Sequence, residues 1–140
     1  MYDNILIPVD LSASNEAVFS TVRNLGDPER TQITLLHVIE TLQDDEAGEM
    51  DDFYEELREE ADAKMKSWAE EIAKDGFEVH ATITYGERGP EITRVADEND
   101  IDLIVQRSHK MDREENPNVG TVSHQIAVFA PCSVLLVRPE

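Results

Sequence analysis

Near its C-terminal end the chain combines cationic side chains with a glycine–threonine pair, in the segment VQRSHKMDREENPNVGT, residues 105–121. Arg107 and Lys110 could bind an anion, because guanidinium and ammonium groups form strong hydrogen bonds with phosphate oxygens. Gly120 and Thr121 stand at the start of a helical pattern, and a helix N-terminus attracts negative charge. These residue types and positions indicate a site for an anion such as a phosphate group.

The same segment also admits an interpretation as a solvated surface loop. Its cations are offset by three nearby carboxylates, those of Asp112, Glu114 and Glu115. Against this, three of the 12 basic residues of the chain fall within seven positions, at Arg107, Lys110 and Arg113. The residues alone leave both interpretations open.

Other reactive residues give weaker patterns. Asp10 follows the first apolar run, where its carboxylate could accept hydrogen bonds from a ligand hydroxyl or cap the next turn. The four histidines are far apart and lack the spacing of metal ligands. Ser108 and His109 are adjacent but lack an orienting third group and a nucleophile elbow. We therefore predict no catalytic group and no metal site.

Five runs of the sequence predict the strands that position these residues. Residues 5–9, 33–39, 103–105 and 134–137 are almost continuously apolar, as strands covered on both faces are. Residues 77–85 instead alternate between apolar and polar side chains. This alternation predicts a third strand at a sheet edge, with one face in water.

Apolar side chains at helical spacing separate the strands. A long stripe precedes Gly76, which ends the helix as a C-terminal glycine. The stripe consists of Phe53, Leu57, Ala61, Met65, Trp68 and Ile72. Shorter stripes predict the first, third and fourth helices: Val18, Val22 and Leu25; Ile92, Val95 and Ala96; Val122, Ile126 and Phe129.

The alternation of strands and helices predicts an α/β fold in one domain, residues 1–140. Because crossovers between parallel strands are right-handed and cover the sheet, we expect a doubly wound, Rossmann-like parallel five-stranded sheet with helices on both faces. Ligands of such sheets bind beyond the carboxyl ends of the strands.

The charge balance excludes some partners: 31 acidic residues against 12 basic ones give a formal net charge of −19. Nucleic acid and anionic membranes require a cationic surface, so we expect neither as a partner. Acidic residues occur throughout and Arg outnumbers Lys eight to four, which suggests a halophilic source. No apolar run approaches about 18 residues, and Cys132 is the only cysteine, so we expect a cytoplasmic protein without disulfides.

Several segments, spanning essentially the whole chain, resemble the universal stress protein family, an adenine-nucleotide alpha-hydrolase-like branch of the doubly wound folds. In chain order they are ILIPVDLSASNEAV, LLHVIE, YGERGPEITRVADENDIDLIV and VGTVSHQIAVFAPCSVLLVRPE. Leu11 stands where the family usually has glycine. The resemblance implies the strand order 3-2-1-4-5 and, in nucleotide-binding members, a site for ATP or AMP with Mg²⁺.

In those members the loop after the fourth strand reads G-x-x-G, nine further residues, then G-[ST], and its glycine amides contact the phosphates. Counting back from Gly120 and Thr121 places Arg107 and Lys110 at the two leading glycines. Long side chains fill the phosphate volume and resist a positive φ. We therefore expect a degenerate pocket that does not bind ATP in the usual way. The alternative is an ATP- or AMP-binding regulator that uses the side chains of Arg107 and Lys110 instead.

The resemblance also implies the residues of the binding site. Asp10 corresponds to an aspartate that faces the adenosine moiety, and Val38 to a residue beside the base. The complete implied set is Pro8, Asp10, Ser12, Val38, Arg107, Lys110, Gly120, Thr121, Val122 and Ser123.

The last predicted strand begins at Val134 and ends at Val137. In the family this strand lies at the open edge of the sheet, opposite the third strand. An uncovered apolar edge invites aggregation, and pairing with a second copy across a two-fold axis removes it. We therefore expect a homodimer.

The net charge predicts salt-dependent stability. Molar salt shortens the Debye length to about 3 Å, which screens the repulsion between carboxylates. The midpoint of thermal unfolding should therefore rise between low-salt buffer and molar KCl, measured by circular dichroism. An unchanged or falling midpoint would contradict the proposed adaptation to salt.

Overall fold

A computed structural model describes residues 2–11, 14–41, 49–108 and 121–138. Strands and helices alternate through these residues: β1 Asn4–Pro8, α1 Glu16–Leu25, β2 Gln32–Glu40, α2 Asp51–Ala73, β3 Glu78–Gly86, α3 Arg88–Glu98, β4 Leu103–Arg107, α4 Thr121–Phe129 and β5 Ser133–Val137. Among them, no helix is both long enough and apolar enough to cross a membrane.

The strands form one parallel sheet in the order β3-β2-β1-β4-β5, as the resemblance predicted. β1 pairs with β2 from Asn4 to Pro8, but with β4 only at Ile5–Leu103 and Leu6–Ile104. Both β1 and β4 continue beyond these two pairs, so they separate towards their carboxyl ends. The separation lies where the winding of the sheet reverses, which is where ligands of doubly wound sheets bind.

Each face of the sheet is covered by a pair of helices. On one face, α1 and α2 pack on side chains that include Ile5, Ile33 and Leu103. On the other, α3 and α4 pack on Leu6 and Leu36, among others. The central strands are buried on both faces, which explains why their sequences are continuously apolar.

Three residues assigned to apolar stripes are exposed instead: Leu25 at 38%, Phe53 at 48% and Phe129 at 72%. Each lies within one turn of a helix end. α2, for example, has 23 residues and is about 35 Å long, whereas the nine residues of β3 span about 30 Å. The stripes therefore predicted the buried face correctly but not how far the sheet covers each helix.

β3 lies at a sheet edge, as predicted, but its alternation is incomplete. Ala81 and Tyr85, assigned to the covered face, are exposed, while Thr82 and Thr84 on the other face are half-buried. The reason is that β3 contacts α3 as well as α2, so both faces of the strand are partly covered.

The surroundings of His37 and Cys132 fit roles in packing and hydrogen bonding within the fold. The His37 ring lies on β2 with Nδ1 3.1 Å from the carbonyl oxygen of Val9, so its polar atom has a partner. The half-buried Cys132 packs against the α3–α4 core. Burial raises the pKa of its thiol, and the carboxylate of Asp102 raises it further. Both effects disfavour the reactive thiolate.

A matched pair of substitutions tests the core. Leu35 is fully buried in β2, whereas Leu25 is 38% exposed at the end of α1. Leu35→Ala should lower the free energy of unfolding by about 2–5 kcal/mol because it leaves a cavity, and Leu25→Ala by about 0.5 kcal/mol. Urea unfolding at constant salt measures both, and equal losses would contradict the burial described.

Candidate functional site

A small cavity lies at the carboxyl ends of β1, β2 and β4, where β1 and β4 separate. Its lining comes from these three strands, the turn after β1 and helix α3: Pro8, Val9, Asp10, Leu36, Val38, Arg88, Ile92, Gln106 and Arg107. The cavity has a volume of about 30 Å³. This is room for about two water molecules.

Four of the ten site residues implied by the sequence line this cavity: Pro8, Asp10, Val38 and Arg107. They come from three different strands or from residues just after them, so the fold brings together groups that are up to 99 positions apart in the chain. Of the remaining six, the three that the structure describes, Thr121, Val122 and Ser123, are not among its lining residues.

Those six fall into two groups. Ser12, Lys110 and Gly120 lie outside the described residues. Thr121 begins α4, which agrees with the prediction that the Gly-Thr pair opens a helix. Val122 lines a neighbouring cavity, and Ser123 is half-buried in the first turn of α4.

The neighbouring cavity has a volume of about 240 Å³ and lies between the start of α3 and the first turns of α4. Its lining is Glu40, Thr41, Gly86, Glu87, Arg88, Gly89, Pro90, Val122 and Gln125. Gly86 has φ +140°, and a Cβ there would lie 3.1 Å from Cγ of Glu91. The tight turn from β3 into α3 therefore requires glycine.

Arg88 lines both cavities, and the sequence interpretation did not identify it. It is the first residue of α3, and its Nε lies 3.6 Å from Oε1 of Glu40 at the end of β2. Both side chains are partly exposed, so this ion pair is weak. A single arginine after a strand carries no distinctive spacing, which is why its position emerges only from the fold.

Gln106 is the second residue that the sequence interpretation missed. Its Nε2 donates a hydrogen bond to the carbonyl oxygen of Arg107 at 3.2 Å. Its Oε1 is buried and has no hydrogen-bond partner among the described residues. The sequence feature that could have indicated Gln106 is a polar residue directly after the apolar run Leu103 to Val105, at the carboxyl end of a predicted strand.

Asp10 lies in a segment whose main-chain carbonyl groups accept hydrogen bonds from two side chains. Nδ2 of Asn15 donates to the carbonyl oxygen of Asp10 at 3.2 Å, and Nζ of Lys64 donates to that of Leu11 at 3.0 Å. Asn15 stands at the N-cap position of α1 without a side-chain cap hydrogen bond. Asp10 lines the cavity, and a role for its carboxylate in capping the following turn stays a prediction.

The residues around the cavity carry both signs of charge. Arg88 and Arg107 line it together with Asp10. The chain as a whole carries a formal net charge of −19. The two arginine charges at the cavity are matched by those of Asp10 and of Glu40, the ion-pair partner of Arg88. Among the described residues, no cluster of three or more His, Cys, Asp or Glu side chains could hold a metal ion.

Comparisons with known proteins agree with the fold. A family model described as the universal stress protein family matches residues 1–138. The chain is 27% identical to universal stress protein MJ0577 of Methanocaldococcus jannaschii over 99% of this chain and 96% of that protein. The solved structure of MJ0577 superposes with a TM-score of 0.85, covering 100% of this chain and 98% of that one.

Two further solved structures are similar. Universal stress protein UspA from Lactobacillus plantarum has a TM-score of 0.78 at 26% identity, with 98% of each chain covered. The universal stress protein from Archaeoglobus fulgidus in complex with dAMP has a TM-score of 0.68, covering 97% of this chain and 98% of that one. At 18% identity the latter likeness shows the fold alone.

Proposed function

Because this chain belongs to the universal stress protein family, we propose that it is a cytoplasmic, dimeric stress-response module whose pocket does not hold ATP in the usual way. Catalysis is not part of this role. The proposal has two components, a changed ligand pocket and a subunit interface, and different residues support each of them.

The size of the cavity carries the first component. Ligand pockets commonly measure about 300–1,000 Å³, whereas the cavity beside Asp10 measures about 30 Å³. Arg107, at the position of the first loop glycine, forms part of its wall. The hydrogen of a glycine at this position would leave room for a phosphate group. The side chain of arginine, a guanidinium on three methylene groups, fills that volume instead. Lys110 replaces the second loop glycine in the sequence.

One observation favours a second candidate, an ATP- or AMP-binding regulator. Arg88 and Arg107 line the same cavity, so side chains could provide the phosphate contacts that the glycine amides no longer make. The structurally similar Archaeoglobus fulgidus protein is in complex with dAMP. In this alternative Mg²⁺ would accompany ATP, and the anion would lie near the two arginines.

The distribution of acidic residues supports the dimer. Acidic residues make up 31 of 140 positions, so a 24-residue segment should contain about five, yet residues 116–139 contain none. This segment holds β5, which pairs with β4 on one side and forms the edge of the sheet on the other. Its exposed apolar side chains are Val128, Phe129, Leu135 and Leu136. A segment without carboxylates that ends in an exposed apolar edge strand suits contact with a second copy of this strongly acidic chain.

Glycine substitutions test the changed pocket. Arg107→Gly combined with Lys110→Gly should create micromolar binding of ATP with Mg²⁺, because the main-chain amides regain access to the phosphates. Isothermal titration at molar KCl measures it, and wild-type protein should give no binding heat at micromolar concentrations. Arg30→Gly, in a turn where the arginine pairs with Asp3, is the matched control and should remain unable to bind.

Two results would contradict this component. Micromolar binding of ATP by the wild-type protein, lost in Gly120→Glu, would favour the side-chain alternative. A crystal structure with ATP bound by main-chain nitrogen atoms of the loop would contradict the degenerate pocket directly.

A charge introduced at the edge strand tests the dimer. Leu136 is 43% exposed on β5, and Leu25, 38% exposed on α1, offers a matched control. Leu136→Glu places two like charges at a two-fold interface and should give a monomer by light scattering coupled to size-exclusion chromatography. Leu25→Glu should remain a dimer. A dimer in both variants would exclude this interface.

A further inference from the structure

A groove between helices α3 and α4 lies outside the small cavity beside Asp10. It has a volume of about 350 Å³ and is lined by Gly89, Pro90 and Thr93 from α3 and by Gln125 and Phe129 from α4. Ligand-binding pockets commonly have volumes of about 300–1,000 Å³. The α3–α4 groove is a separate surface, because it shares no lining residue with the small cavity.

Phe129 is the most exposed large apolar side chain of the described residues, at 72%. It lies four residues after Gln125, so the two side chains share one face of α4. That face is turned towards α3, because a Cβ on Gly89 would lie only 2.2 Å from Oε1 of Gln125. Phe129 therefore belongs to the α3–α4 groove and not to the free edge of β5, where the proposed dimer forms.

The geometry of the groove suits a helix. α3 and α4 each connect two parallel strands, so they run side by side in the same direction. The surface between two such helices is a channel into which the side chains of a third helix can pack. Aromatic residues, phenylalanine included, are enriched at the core of protein interfaces. Phe129 is thus suited to contact the apolar side chains of a helix that packs here.

The charges beside the groove favour a cationic partner. Asp97 is exposed and lies one turn after Thr93, on the same face of α3. The ion pairs of this part of α3 join Arg94 to Glu91 and Glu98, so Asp97 has no ion-pair partner among the described residues. α4 contributes no Asp, Glu, Lys or Arg. A lysine or arginine of a partner can pair with Asp97, whereas an acidic helix would be repelled.

We propose that the α3–α4 groove binds an amphipathic, cationic helix of another protein. Phe129 supplies the main apolar contact, and Asp97 pairs with a lysine or arginine of the bound helix. Because no residue of the small cavity takes part, the inference is independent of whether a nucleotide binds. It goes beyond the proposed function, which names no protein partner other than a second copy of the chain.

The test uses the full chain and a fluorescently labelled peptide of about 14 residues, made only of leucine and lysine, with the leucines at helical spacing. Fluorescence anisotropy at molar KCl, where attraction to the acidic surface is screened, should show micromolar binding to the wild-type protein. Phe129→Ala should weaken this binding about tenfold. A peptide of the same composition in scrambled order, which forms no apolar face, should also bind at least about tenfold more weakly.

Phe53→Ala is the matched control. Phe53 is also an exposed phenylalanine, at 48%, but it lies on α2, which covers the opposite face of the sheet. This variant should change the affinity less than about twofold. Asp97→Asn should weaken binding about threefold in low-salt buffer and less at molar KCl, because salt screens an exposed ion pair. Thermal unfolding followed by circular dichroism checks that all three variants fold.

Three results would overturn the inference. Equal weakening by Phe129→Ala and Phe53→Ala would show non-specific attraction to the protein surface. An absence of peptide binding at millimolar concentrations would show that the groove does not accept such a helix. If Phe129→Ala turned a dimeric protein into a monomer, the groove would hold a second copy of this chain instead. The titration of ATP and the Leu136→Glu variant test the proposed function separately.

Discussion

The separation of β1 from β4 is the constraint on which the candidate site depends. The two strands pair through Leu6 and Ile104 and then separate, and the space beyond is lined by residues from both. Helices α3 and α4 pack on one face of the sheet and α1 and α2 on the other, so the winding reverses at this point. This arrangement brings Asp10 and Gln106, which are far apart in the chain, to one cavity.

The site contains both signs of charge within a strongly acidic molecule. Two of only 12 basic residues line a cavity of about 30 Å³ in a chain with a formal net charge of −19. At low ionic strength the surrounding carboxylates repel an approaching anion, whereas salt screens this long-range repulsion more than the short contacts inside the cavity. If an anionic ligand binds here, as in the second candidate function, its affinity should therefore depend on ionic strength more than in a neutral protein of the same fold.

The strands could be predicted from the sequence because a strand that is buried on both faces has a continuously apolar sequence, such as the run that ends at Val105. The sequence could not predict where a helix extends past the sheet, so Phe129 looked buried although it is exposed. Within the site, Asp10 and Arg107 were found because the family motif marks their positions. Arg88 and Gln106 were missed because neither belongs to a spaced pattern, and only the packing of α3 and β4 brings them to the cavity.

The place of β5 in the sheet has a consequence for biosynthesis. β4 pairs with β1 on one side and β5 on the other, but β5 is the last strand of the sheet to be translated. Until residues 133–137 leave the ribosome, the fully buried Ile104 and Val105 stand at an open edge of the nascent chain. Such an edge can pair with a neighbouring polypeptide, so the interval before β5 emerges is when the nascent chain is most open to intermolecular pairing.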